Sequence, residues 1–202
     1  MTFAVIPAAG KSSRMGCPKL TLPLGNQAVI EQVIASLRQA EVNSILVVVG
    51  PHVPELAPLA SAAGAHVLLL PEETPDMRAT VEKGLEWLEN HFHPEPDDDW
   101  LLVPADHPTL DAGVVRQLVR VRRHQPDHSI FVPVFQGKRG HPALLRWKHV
   151  AGIRALAPTC GVNAYLRQQA AQTLEVPVQS AEVLADLDTP EDYERLKRKF
   201  QQ

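Results

Sequence analysis

Between Pro7 and Lys19 the chain reads P-A-A-G-K-S-S-R-M-G-C-P-K, a run of small residues followed by two hydroxyls and the cations Lys11, Arg14 and Lys19. Small side chains at Ala8, Ala9 and Gly10 let backbone amides approach a ligand closely, and exposed amides in a tight turn form a nest for anions. Ser12 and Ser13 add hydroxyl groups. Arg14 offers a planar fork for phosphate oxygens, and Lys19 a movable point charge. That set suits a triphosphate, although an ordinary basic surface loop accounts for the spacing as well. Two common nucleotide loops are excluded. The glycines fall at Gly10, Gly16 and Gly25, so no G-x-G occurs, and five residues rather than four separate Gly10 from a Gly16 that is followed by Cys17-Pro18.

A triphosphate site needs a hard cation, and Mg²⁺, or Mn²⁺ in its place, takes one or two carboxylates along with phosphate and water oxygens. Asp106 directly follows the apolar run Trp100 to Val103 and is placed for that role; capping the next helix is the alternative. His91, His93 and Asp97 to Asp99 read as a solvated loop rather than a metal site. Cys17 and Cys160 have no zinc-ligand spacing, and no base beside Cys17 marks it as a nucleophile.

Positioning these residues requires strands that end in loops. Phe3 to Pro7, Ile45 to Val49, His66 to Leu70 and Trp100 to Val103 are apolar runs of the kind buried on both faces of a parallel sheet. Between them lie helical stripes: Val29, Ile30, Val33, Ile34 and Leu37; a Pro-interrupted helix at about 53–63; Val81, Leu85 and Leu88, opened by Thr74-Pro75 as N-cap and first turn; and Val114, Val115, Leu118 and Val119. Strands alternating with helices predict a mostly parallel sheet covered on both faces, a three-layer Rossmann-like α/β/α arrangement. From 129 to 147 two strands flank the turn-rich Gln136 to Pro142, which predicts an antiparallel excursion. Short helices near 147–157 and 160–170, a strand at 173–178 and a last helix opened by Thr189-Pro190-Glu191-Asp192 and burying Tyr193, Leu196 and Phe200 complete the chain.

The 202 residues fit one domain spanning 1–202. With 20 basic and 23 acidic residues the net charge is −3, which argues against a general nucleic-acid binder, so a bound polyanion must be held by a local cluster. No apolar stretch approaches a membrane span or a secretory leader, and two cysteines make no disulfide framework. A cytoplasmic protein with no membrane partner is expected.

The stretch Pro7 to Leu20 closely resembles the L-A-A-G-x-S-x-R-M-G-x-x-K signature of the molybdenum-cofactor nucleotidyltransferases (MobA-like and MocA-like) and their relatives. The resemblance implies a nucleotidyltransferase fold whose loop wraps an NTP, with Arg14 and Lys19 on the phosphates. Ala9 stands where the cytidylyltransferase branch has Ala, favouring CTP over GTP. Val103 to Pro108 looks like the family's G-D-Q-P segment, whose Asp holds metal; Ala105 and His107 are departures. Ala185 to Asp192 resembles D-I-D-T-P-E-D, implying a second metal oxygen from Asp186 or Asp188, with Asp186 preferred and Asp192 a capping residue. Gly140-His141-Pro142-Ala143 resembles the G-H-P-V segment on the acceptor side, where His107 also falls. Thr80 keeps a hydroxyl where the family has G-M-S-x-S, while Asp76 and Arg78 depart from it. The later G-D-x-G-A-R stretch is eroded around Cys160.

The implied reaction is in-line attack by an acceptor phosphate oxygen on the α-phosphorus of an NTP, releasing pyrophosphate. The expected acceptor is a molybdopterin-type phosphate, with a molybdoenzyme or its maturation factor receiving the product. The alternatives are a sugar phosphate or other phosphomonoester as acceptor, or a non-catalytic nucleotide-binding regulator or cofactor chaperone.

Overall fold

The computed structural model describes residues 1–12 and 15–200. Strand β1 (Thr2–Ala8) leads through the basic loop to a two-stranded ribbon, β2 (Pro23–Leu24) and β3 (Gln27–Ala28), and then to α1 (Val29–Gln39). There follow β4 (Ser44–Val49), α2 (Leu56–Ala62), β5 (His66–Leu69), α3 (Met77–Phe92), β6 (Asp99–Leu102) and α4 (Ala112–His124). The second half carries β7 (Ile130–Phe135), β8 (Lys138–Arg139), β9 (Ala143–Arg146), α5 (Val150–Arg154), α6 (Val162–Gln168), β10 (Thr173–Pro177) and α7 (Pro190–Phe200).

The main sheet runs β10-β7-β9-β6-β1-β4-β5, with β8 paired to β7. β1 is parallel to both β4 and β6, while β9 is antiparallel to β6 and to β7, so the excursion around 129–147 is as expected. Alternation along the central strands divides the core. Ala4, Ile6, Val47, Val49 and Leu101 pack with α1, α2 and α4 on one face. Phe3, Val5, Leu46, Val48 and Trp100 pack with α3, α5 and α6 on the other. Two covered faces make three layers. Gly84 lets α3 lie close, since a Cβ there would sit 2.9 Å from the side chains of both Val5 and Val48. The strand order reverses beside β1, with β4 on one flank and β6 on the other. In such sheets a crevice opens outside the carboxyl ends of the strands at that point.

Several local readings are corrected. Thr74-Pro75 does not cap α3; Asp76 does, its carboxylate accepting from Ala79 N at 2.8 Å. Residues 97–99 are not wholly solvated. Asp99 begins β6, is buried, and accepts from Arg122 Nε at 2.7 Å, while Asp98 takes the amino terminus. Of the expected buried face of α7 only Leu196 is buried, with Tyr193 and Phe200 packed at the core's margin. No helix among the described residues is long and apolar enough to cross a membrane.

His149, 3% exposed, ties the second half together. Ser129 Oγ donates to Gln172 Oε1 at 2.7 Å, so it accepts from His149 Nε2–H at 2.7 Å, and the Tyr165 hydroxyl donates to Nδ1 at 2.8 Å. The bond to Ser129 places a proton on Nε2, and burial keeps Nδ1 unprotonated, so that it accepts from Tyr165. Burial, helped by the charges of Lys148 and Arg146, holds the ring's pKa down to about 4. An unfolded histidine takes up a proton near about pH 6.5, so the unfolded state binds more protons between there and pH 4, and stability falls as pH drops through that window. The full loss is about 3 kcal/mol. His141, also held at about 4, contributes to the same window, so the informative quantity is a difference. Denaturation of wild type and His149→Gln from pH 7 to 4 is expected to show a flatter pH slope in the variant; equal slopes refute the neutral-ring assignment.

A second constraint lies at Gly140, where a Cβ would fall 2.4 Å from the Val183 carbonyl oxygen. That oxygen already accepts from His141 N at 2.8 Å. Gly140→Ala is therefore expected to lower unfolding stability by about 2 kcal/mol through overpacking. A measured loss under about 0.5 kcal/mol, the scale of a surface substitution, would mean that the 183 segment yields freely.

Candidate active site

The crevice beside β1 and β6 is a cleft of about 490 Å³, lined from the loop by Ala8, Ala9, Gly10, Lys11, Ser12 and Lys19. Asp106, Asp188 and Thr80 complete the lining among the predicted residues. β1 ends at Ala8, which aims the following residues into the opening. Ser12 then takes a positive φ of 50°, its carbonyl accepts from Met15 N at 3.0 Å, and its hydroxyl accepts from Lys19 N at 3.4 Å. The loop thus folds back so that Lys19 starts a short 3₁₀ turn, Lys19–Thr21. Ser13 and Arg14 lie outside the described residues.

Lys19 is the centre of the arrangement. Its Nζ donates to Asp106 Oδ2 at 2.6 Å, to the Leu187 carbonyl oxygen at 2.7 Å and to Asp188 Oδ1 at 2.9 Å. Burial of the ammonium favours the neutral amine, but its hydrogen bonds to Asp106 and Asp188 and then the charges of those carboxylates outweigh it, and the pKa stands above the usual lysine value. Lys19 is therefore a fixed cation.

Each carboxylate is delivered separately. Asp106 follows β6, and its carbonyl oxygen accepts from Leu187 N at 2.9 Å, which docks the 187 segment beside it. Asp188 sits just before α7, where Asp192 Oδ2 accepts from the backbone amides of Asp188 at 3.2 Å and Thr189 at 2.9 Å. Thr189 Oγ1 accepts from Asp192 N at 3.2 Å in return, a reciprocal cap. Residues 185–188 form no strand, so the alternation behind the preference for Asp186 does not apply. Lys19 joins Asp188 to Asp106, while the side chain of Asp186 is exposed to solvent.

Beyond Asp106 lies a histidine pair. His107, 6% exposed, stands edge-on to His141 with ring centroids 5.3 Å apart, and its Nε2 is 4.0 Å from Asp106 Oδ1. Burial lowers the pKa of both rings, opposed at His107 by Asp106 and Asp186. His141 is thus linked to Asp106 through His107, but His107, Gly140 and His141 are not among the residues that line the cleft. Thr80 is buried, and its hydroxyl is 2.5 Å from that of Thr74. Arg78 turns elsewhere: its Nη1 donates to the carbonyls of Leu156 and Ala157 at 2.9 and 3.0 Å, fastening α3 to the turn that contains Cys160.

Two contributors escaped the sequence. The Leu187 carbonyl leaves no trace in side-chain identity. Glu73, whose Oε2 pairs with Lys11 Nζ at 2.9 Å across the cleft mouth, was discoverable as an acid just beyond the end of β5.

The oxygen set around Lys19 Nζ, two carboxylates and a carbonyl, fits a hard divalent ion as well as an ammonium. With the small-residue loop opposite, the cleft can hold a polyphosphate and its counter-ion. The molybdenum cofactor cytidylyltransferase of Escherichia coli strain K12 is 23% identical over 197 residues, covering 97% of this chain and 95% of that protein. The bifunctional protein GlmU of Leifsonia xyli subsp. xyli is 32% identical over 122 residues, or 59% of this chain, and the match takes in only 24% of that protein's length. The crystal structure of Rv0371c in complex with manganese, from Mycobacterium tuberculosis H37Rv, shares the fold, with a TM-score of 0.78 at 22% identity over 98% of this chain and 97% of that one. The sequence model of the MobA-like NTP transferase domain matches residues 4–173. The chain belongs to this family and is a nucleotidyltransferase.

Proposed function

We propose that this nucleotidyltransferase moves CMP from CTP to the phosphate of a molybdopterin-type acceptor, releasing pyrophosphate, with GTP the second-best donor. The observation that carries the reading is the convergence of Lys19, Asp106 and Asp188 opposite the Ala8–Ser12 loop in one cleft. The preference for CTP rests on Ala9 and on the whole-chain likeness to the Escherichia coli cytidylyltransferase.

In this reading backbone amides of Ala8 to Ser12 cradle the phosphates, and Arg14 and Lys19 meet the charge that develops on the α-phosphate and the departing pyrophosphate. Asp106 and Asp188 would hold the Mg²⁺ or Mn²⁺, which would neutralise phosphate charge there. Gly140, His141 and His107 border the acceptor side. The acceptor phosphate is already ionised at neutral pH, so its oxygen attacks the α-phosphorus as the bond to pyrophosphate breaks, and alignment with charge stabilisation supplies the rate. Asp186, exposed beside His107, faces the acceptor rather than the metal.

Pyrophosphate release, measured with each of four NTPs against molybdopterin and a panel of sugar phosphates, tests this. The expected order is CTP, then GTP, on molybdopterin alone. Asp106→Asn is expected to lose about 10²–10³ in rate, and Lys19→Ala about 2.7–4 kcal/mol of transition-state stabilisation. Preferential turnover of a sugar phosphate refutes the acceptor assignment. Binding of CTP with Mg²⁺ but no nucleotide-linked product from any acceptor refutes the enzymatic role and leaves a nucleotide-binding regulator. A loss under tenfold in Lys19→Ala counts against the role given to Lys19.

A further inference from the structure

The Lys19 ammonium stands where the proposed ion belongs. Three oxygens from two distant segments point at one cationic atom, at 2.6 to 2.9 Å, and the lysine side chain is only 14% exposed. An ammonium and a hard divalent ion ask for the same partners, namely carboxylate and carbonyl oxygens. They cannot share them, because two cations at that spacing would repel strongly in a half-buried site. A loop cation meant only for phosphates would point along the loop's own cradle. Lys19 instead leaves its loop side and spans the cleft to β6 and to the start of α7.

We infer that Lys19 is the resident counter-ion of the metal site, which holds Asp106 and Asp188 together in the empty enzyme and is expelled by the divalent ion, freeing its ammonium for the triphosphate. The inference rests on the metal assignment made above and deepens it. Its physical content is an exchange. Without nucleotide, the ammonium bonds to both carboxylates and suppresses binding of the bare metal. A metal brought in by the triphosphate has phosphate oxygens to complete its shell, and the displaced ammonium gains phosphate partners of its own. Metal and nucleotide therefore enter as one unit. Asp192 is part of the device, since its bonds to the Asp188 and Thr189 amides keep the Asp188 carboxylate facing the cleft whichever cation is present.

The test is binding of Mn²⁺ alone, followed by electron paramagnetic resonance or calorimetry, in wild type, Lys19→Met, Lys19→Arg and Asp106→Asn. Lys19→Met, which removes the competing charge, is expected to bind Mn²⁺ at least tenfold more tightly than wild type without nucleotide, even as its turnover falls. Lys19→Arg, which keeps a cation, is expected to bind Mn²⁺ no more tightly than wild type. Asp106→Asn is expected to lose the ion. A second measurement needs no variant: reductive methylation read by mass spectrometry should label Lys19 slowly in the metal-free enzyme and several-fold faster in saturating Mg²⁺ without nucleotide. Equal Mn²⁺ affinity in wild type and Lys19→Met, with the ion still lost in Asp106→Asn, overturns the exchange but leaves the metal site standing. Labelling of Lys19 that does not change with Mg²⁺ overturns it as well. Mn²⁺ binding that ignores Asp106→Asn overturns the metal site itself, and the exchange with it.

Discussion

Two carboxylates that face one small volume need a positive charge between them, or one must give up its ionisation. Here the charge is the Lys19 ammonium, and it connects parts of the chain 87 and 169 residues apart. The fold serves that meeting. The loop that carries Lys19 leaves β1, Asp106 leaves the neighbouring β6, and both emerge at the same end because the two strands are parallel and adjacent. The third segment comes from the far side of the sheet, and the backbone bond from Leu187 N to the Asp106 carbonyl locks it in place. The cap at Thr189 and Asp192 then fixes which acidic residue looks inward.

Much of this was legible because it is local. The apolar runs around Phe3, Ile45 and Trp100 and the helical stripe from Val29 to Leu37 are set by which face each residue must bury, and a strand that is apolar on both faces calls for a parallel sheet with helices on either side. The sequence also marks the basic loop and Asp106, Asp186 and Asp188 as candidates, of which Lys19, Asp106 and Asp188 meet in one cleft. What the sequence withheld depends on neighbours distant in the chain. Asp186 and Asp188 differ by two places, and choosing between them by alternation assumes a strand that residues 185–188 do not form. Asp99 looks like the end of an acidic loop, yet Arg122 of α4 neutralises it inside the core. Asp76 took the cap expected of Thr74, whose hydroxyl instead meets that of Thr80.

The departures from the family signature sort by the same test of what each side chain touches. Arg78 spends its guanidinium on two carbonyls of the 156–157 turn, which binds α3 to the α5–α6 region. Its presence is a matter of joining two elements. His107 is different, because it is buried directly beside Asp106 and against His141. Burial keeps both imidazoles from charging easily. The cleft itself is lined by the ammonium groups of Lys11 and Lys19 with Glu73, Asp106 and Asp188, and the histidine pair lies outside that lining.

That lining bears on how an acidic chain handles polyanions. Lys11 is paired with Glu73 and Lys19 with Asp106 and Asp188. These cations are partnered within the chain, and long-range attraction for a nucleotide is correspondingly modest for a protein of net charge −3. In the proposed function, binding proceeds by exchange of partners at short range, each ammonium trading a carboxylate for a phosphate oxygen. Such trades gain little unless the abandoned carboxylate finds another cation. At Lys19 the proposed divalent ion would supply it. Glu73, more than half exposed at the cleft mouth, needs none, because water solvates its carboxylate. The same ion pair thus means different things at the two ends of the cleft: at the mouth it is a weak surface contact that a ligand displaces at small cost, and at the base it is a half-buried pairing that, in the proposed exchange, yields to a divalent ion and most readily to one that arrives with triphosphate.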